Sequence, residues 1–136
     1  MAEINHEIKI HASLPAIYQA LTSPSELAMW HTAGATGDHE SFTTRPQDGP
    51  PFAWKISKAG DDTVQWECVE GPGNSPGTTA RFKLSPLGVD RTLVEFSHSG
   101  WPDGNGSFRK CNTLWAILLF HLRQYLHSGE NEPAFH

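Results

Sequence analysis

The sequence predicts an α+β domain in which a curved, six-stranded antiparallel sheet wraps around a long C-terminal helix, with two short helices after the first strand. Three observations carry this expectation. A strand-like alternation opens the chain, short alternating runs broken by Gly, Pro, Asn and Asp fill its middle, and an apolar stripe of helical period closes it. At 136 residues, 38% hydrophobic and 18% charged, the chain has the length and apolar content of one self-folding domain spanning residues 1–136.

From Asn5 to His11 the residues alternate, with Ile4, His6, Ile8 and Ile10 on one face and Asn5, Glu7, Lys9 and His11 on the other. Ser13 then caps a helix with Pro15 in its first turn and Ile17 and Leu21 on its apolar face. Pro24 ends that helix, and Ser23 caps a second one bearing Leu27, Met29 and Trp30. Five strands are expected between Asp38 and Gly100. The first, near His39 to Arg45, is weakly patterned; the second carries Phe52, Trp54 and Ile56 and ends in the turn Ala59-Gly60-Asp61-Asp62. The third faces Val64, Trp66 and Cys68 inward. After the loop Gly71 to Gly77, the fourth faces Ala80, Phe82 and Leu84 inward, and the fifth, Arg91 to Ser99, does so with Val94, Phe96 and His98.

Ser107 is placed to cap a final helix that runs to Ser128 and stops at Gly129. Phe108, Cys111, Leu114, Trp115, Leu118, Leu119, Leu122 and Leu126 follow the helical period, and the helix is on the order of 30 Å long at about 1.5 Å per residue. Ile117 and Phe120 fall off this stripe. Their exposure would call for a partner subunit, as in a homodimer, or for a sheet wrapping far around the helix.

Composition excludes several function classes. The net charge of −5 comes with no Lys/Arg run, so the electrostatic basis of nucleic-acid binding is missing. The polar first residues do not resemble a signal peptide and no apolar run approaches a membrane span, so a cytoplasmic protein is expected. Cys68 and Cys111 form no CxxC pattern, and the eight histidines contain no HExxH; His121 and His127 fall about 240° apart on a helix. No metal and no cofactor is therefore expected. The glycine-rich loop precedes a strand and lacks a following Lys-Ser/Thr, which makes it a turn and not a phosphate cradle.

Three stretches resemble a known family: INHEIKIHASLPAIYQALTSPSELAMWHT, VEFSHSGWPDG and FRKCNTLWAILLFHLRQYLHSGENEP. They are similar to the branch of the SRPBCC (START-like) superfamily homologous to the activator of the heat-shock protein 90 ATPase. The matching positions are Pro15, Tyr18, Ala20, Leu21, Thr22, Leu27, Trp30, His98, Gly100, Trp101, Trp115, Tyr125, Leu126 and Gly129. The chain departs from the pattern at Trp30-His31, where the family commonly has an aromatic pair, and over Ser41 to Pro51. The resemblance implies a helix-grip fold. It also implies a cavity-bearing protein, since some relatives bind apolar ligands and a few act as cyclases or cochaperone modules.

Five tryptophans in one small domain, together with the inward strand positions, suggest a pocket between sheet and helix lined by His6, Trp30, Trp54, Trp66, Phe82, Phe96, His98, Cys111, Trp115 and Leu118. The expected function is binding of a small apolar or amphipathic molecule there. His6 and His98 would orient a polar group of the ligand, serve as a proton relay, or be hydrogen-bonded core residues. The alternatives are a polyketide-cyclase-like enzyme using one of these histidines and a module that binds a heat-shock chaperone.

Overall fold

The opening alternation forms strand β1, Ala2–Ile10, which buries Ile4 and Ile10 and exposes Glu3, Asn5, Glu7 and Lys9. The structure is a computed structural model and describes residues 2–45, 50–60 and 62–135. Two helices come next, α1 (Leu14–Thr22) and α2 (Pro24–Trp30). Ser13 caps α1 as expected, its Oγ accepting from the Ala16 N–H at 3.3 Å. Ser23 sits at the N-cap of α2 but makes no capping bond, because its hydroxyl pairs instead with that of Ser25 at 2.9 Å. Six more strands follow: β2 (Thr36–Gly37), β3 (Ser41–Thr44), β4 (Phe52–Ala59), β5 (Thr63–Glu70), β6 (Thr79–Gly88) and β7 (Arg91–Trp101). Helix α3 spans Ser107–Ser128.

The sheet thus has seven strands, not six, in the order β1-β7-β6-β5-β4-β3-β2, every pair antiparallel. The additional strand is β2. Two residues are too few to show a period, and neither is buried, so nothing in the sequence pattern marks it. Asp61 of the expected turn after β4, and residues 46–49 of the unmatched segment, lie outside the described residues.

Because β1 and β2 occupy opposite edges of the sheet, the chain between them must cross it, and α1 and α2 make that crossing. Indole N–H groups fix the path: Trp66 on β5 donates to the Leu21 carbonyl at 3.1 Å, and Trp30 donates to the Ala20 carbonyl at 2.9 Å. The curved sheet then holds α3 as the helix-grip arrangement does. Cys111, Leu114, Trp115, Leu118, Leu119 and Leu122 are buried, while Ile117 and Phe120 on the outer side are 37% and 45% exposed. The Tyr125 hydroxyl donates to the Glu26 carboxylate at 2.9 Å and ties α3 to α2. Gly129 ends the helix in the left-handed conformation, φ 72°.

The start of α3 differs from the expectation. Gly106 holds the N-cap position and Ser107 is the first helical residue; its hydroxyl donates to the Pro72 carbonyl at 3.3 Å instead of capping the helix. The loop between β5 and β6 packs against this end of the helix and claims the side chain. Beyond α3 the chain returns to α2: the amides of Glu132, Ala134 and Phe135 donate to the carbonyls of Met29, Trp30 and His31 at 3.1, 2.9 and 3.1 Å.

The buried side chains of α3 are each worth about 1.5–3 kcal/mol, against a total stability of roughly 5–15 kcal/mol for such a domain. A chain ending at Gly106 is expected to show no cooperative thermal transition by circular dichroism. A sharp melt of that truncated chain would mean that the sheet has a core independent of the helix.

Candidate functional site

Trp115 occupies the centre of the interior. Its position on α3 directs the indole toward the sheet, where ring centroids lie 4.2 Å away in Phe96, 5.8 Å in Phe82, 6.0 Å in Trp66 and 6.3 Å in Trp54. Each aromatic partner comes from a strand position at which the period of two faces the helix. Tilted and edge-on geometries dominate, the arrangement that aromatic quadrupoles favour.

His98, wholly buried on β7, is the polar node of this layer. The Trp115 indole N–H donates to His98 Nδ1 at 2.9 Å, which leaves the imidazole proton on Nε2. Nε2–H then donates to Thr78 Oγ1 at 2.7 Å, and the Thr78 hydroxyl donates to the Ser75 carbonyl at 2.6 Å. Burial pushes the His98 pKa down to about 3, so the ring is neutral. Close approach of two backbones makes the node possible. Gly100 has φ 93°, and a Cβ there would stand 3.3 Å from the Thr78 Cα. With both ring nitrogens engaged, His98 offers no free nitrogen to a bound molecule.

His31 is not among the expected site residues, although the sequence marks it as a departure from the family pattern. It follows α2 directly and is 1% exposed, with rings of Trp30, Trp66, Trp115 and Phe135 within 5.3 to 6.4 Å. His31 Nδ1 lies 2.8 Å from Thr32 Oγ1, which also accepts from the Arg45 amide at 3.3 Å. Desolvation lowers its pKa to about 3. A single residue at a helix end has no periodicity to announce that it is buried.

A cavity of about 20 Å³ lies between these two histidines, lined by His31, Phe52, Trp54, His98, Cys111, Leu114, Trp115 and Leu118. A second, also about 20 Å³, shares Phe52, Cys111 and Leu114 with it and is bounded outward by Pro50, Pro72, Ser107 and Lys110. Of the expected lining residues, Trp54, His98, Cys111, Trp115 and Leu118 therefore meet around one space. Trp66, Phe82 and Phe96 form the packed layer behind them, and Trp30 is buried beside α1. His6 stands apart: β1 pairs Ile4 with His98 and His6 with Phe96, and His6 Nε2 lies 3.3 Å from the Asn112 carbonyl. It lines a separate open groove with Asn5, Glu7, Glu95 and Phe96.

Both thiols are free and buried. Burial raises the Cys111 pKa to about 11 and that of Cys68 to about 12, so neither is a thiolate nucleophile at neutral pH. Among the described residues no three His, Cys, Asp or Glu side chains group as metal ligands, and no helix is long and apolar enough to cross a membrane.

The two neutral imidazoles make stability depend on pH. Their folded pKa values, about 3, lie below the ordinary 6.5, so their contribution is present above pH 6.5 and is lost as pH falls toward 3. At pH 5, unfolding should take up about two protons through these residues, and about one in His98→Asn. The check is the slope of unfolding free energy between about pH 4.5 and 5.5, from urea titrations of both proteins. Equal slopes would show that His98 is not held neutral by the fold.

Comparison with known proteins places this geometry. No family model and no curated protein matches the chain. Among solved structures, CalU16 from Micromonospora echinospora has a TM-score of 0.72 at 19% identity over 96% of this chain and 76% of its own. DynU16, from the dynemicin biosynthetic locus, has a TM-score of 0.73 at 18% identity over 98% of this chain and 51% of its own. At such identities the likeness is one of fold. The Aha1 protein of Colwellia psychrerythraea, solved in solution as a dimer, is nearer: TM-score 0.83 and 33% identity over 95% of this chain and 98% of its own. With that identity held along almost the whole of both chains, the protein belongs to the Aha1 family.

Proposed function

We propose that this protein binds a small apolar or amphipathic molecule between α3 and the sheet, by way of the gap among Pro50, Pro72 and Lys110. The observation that carries this reading is a pair of small cavities whose walls share Phe52, Cys111 and Leu114, one bounded also by Pro50, Pro72 and Lys110 and the other by His31 and Trp115. Each has room for roughly one water, whereas small-molecule sites commonly enclose about 300–1,000 Å³. Occupation by anything larger therefore requires Phe52 and Leu114 to swing aside. Of the two histidines in the wall, His31 supplies the polar group for a ligand, since both nitrogens of His98 are engaged. Neutral imidazoles of low pKa favour binding over acid–base catalysis, because an efficient general base has a pKa near the working pH.

Decanoate or naphthalene is expected to change tryptophan emission and raise the melting temperature together, since a ligand that binds only the native state stabilises it by mass action. Cys111→Phe fills the junction of the two cavities and should abolish both responses, at a stability cost of about 1–3 kcal/mol from overpacking. If a broad panel of apolar compounds moves neither signal in the unsubstituted protein, the interior is ordinary packing and the reading fails.

A second reading concerns assembly. Ile117 and Phe120 form an exposed apolar face on α3, with the Arg123 guanidinium 5.4 Å from the Phe120 ring centre. The Colwellia relative is a dimer, which supports assembly of two copies of this chain, and the exposed apolar face is the surface we assign to it. Light scattering should give a dimeric mass for the unsubstituted protein and a monomeric one for Phe120→Glu with its melting temperature retained. A dimer that survives the substitution would place the interface elsewhere.

A further inference from the structure

A space much larger than the interior cavities lies elsewhere in the described structure. An open cleft of about 350 Å³ lies at the β2–β3 edge, lined by Thr32, Ala33, Gly34, Thr36, Thr43, Thr44, Arg45 and Pro51. Half of these eight residues are threonines, one is a cation, and none of the described lining residues is acidic. That local chemistry runs against the chain's net charge of −5. The cleft is also built from below. Thr44 is 1% exposed and its Oγ1 accepts from the Trp54 indole N–H at 3.0 Å, while Thr32 is 4% exposed and its Oγ1 accepts from the Arg45 amide. Two hydroxyls of the cleft floor are thus bonded to, or within bonding distance of, Trp54 and His31, which line the apolar cavity behind it.

We propose that this cleft is a second binding site, one for a small molecule bearing a carboxylate. A guanidinium presents paired N–H donors that match a carboxylate, and the accessible hydroxyls of Thr36 and Thr43 supply further donors around it. A single cation suits a singly charged oxyanion; a phosphate dianion would call for a second. The volume falls in the range of small-molecule sites, which the interior cavities do not reach. The site stands independently of the apolar reading, because its lining shares no residue with either interior cavity.

The test titrates the full chain with benzoate and hexanoate, each against its neutral counterpart, benzamide and hexanol, and follows backbone amide shifts by NMR. Saturating shifts are expected at Thr32, Thr36, Thr43, Thr44 and Arg45 with the carboxylates. The neutral compounds should bind there at least tenfold more weakly. Arg45→Gln should weaken carboxylate binding at least tenfold while leaving the melting temperature unchanged. The proposal is overturned if neither carboxylate gives saturating shifts at those amides, if the neutral compounds bind equally well, or if the substitution has no effect. Shifts confined to Cys111, Leu114 and Trp115 would also overturn it, and would instead support occupation of the interior.

Discussion

The hydrogen bond from Trp115 to His98 is the constraint on which the interior depends. An indole N–H buried among aromatic rings gains from an acceptor, since leaving such a donor unpaired, as at Trp101, costs about 1–3 kcal/mol. His98 supplies one only as the tautomer protonated on Nε2, and Thr78 fixes that tautomer by accepting from it. The chain of donors ends on the Ser75 carbonyl, so one polar line links α3, β7 and the loop before β6. That loop also receives the Ser107 hydroxyl at Pro72, which sets the start of α3. Helix rotation, strand register and loop position are therefore not independent.

The same line explains why a histidine so central is a poor candidate for chemistry. Catalytic imidazoles need a free nitrogen and a pKa near neutrality, whereas His98 has both nitrogens engaged and is held neutral by burial. His31 has the same depressed pKa but stands where helix, cavity and threonine cleft meet. Here an imidazole reaches Thr32 from inside the wall.

Much of the fold is legible in the sequence because its signals are periodic. Alternation places β5, β6 and β7 with the expected residues facing inward, and the helical stripe locates α3; on β1 the expected pocket residue His6 lies instead beside an open groove. What escapes has no period. β2 is two residues long, His31 is one residue past a helix, and the segment 132–135 docks on α2 through backbone amides, which no side-chain pattern encodes. Ser107 reads wrongly as a cap for a related reason: its hydroxyl answers to a loop 35 positions earlier, and capping rules weigh only neighbours. The aromatic inventory identifies the right interior. Whether such an interior is hollow depends on how rings interdigitate in three dimensions, and the rings here leave little space.

The strand order has a consequence for how the protein is made. β1 is translated first, yet its partner is β7, so Ile4 meets His98 only after almost the whole sheet has been added. The backbone bonds from residues 132–135 to α2 come later still. During synthesis, Ile4 and Ile10 must wait on an unpaired edge while the rest of the sheet emerges. Pairings so distant in sequence slow folding and prolong the exposure of strands prone to misassociate. A nascent chain stalled before α3 would hold the sheet's strands but none of the helix that fills their concave face. On the ribosome this domain closes last to first, and its earliest residues are the ones most in need of protection.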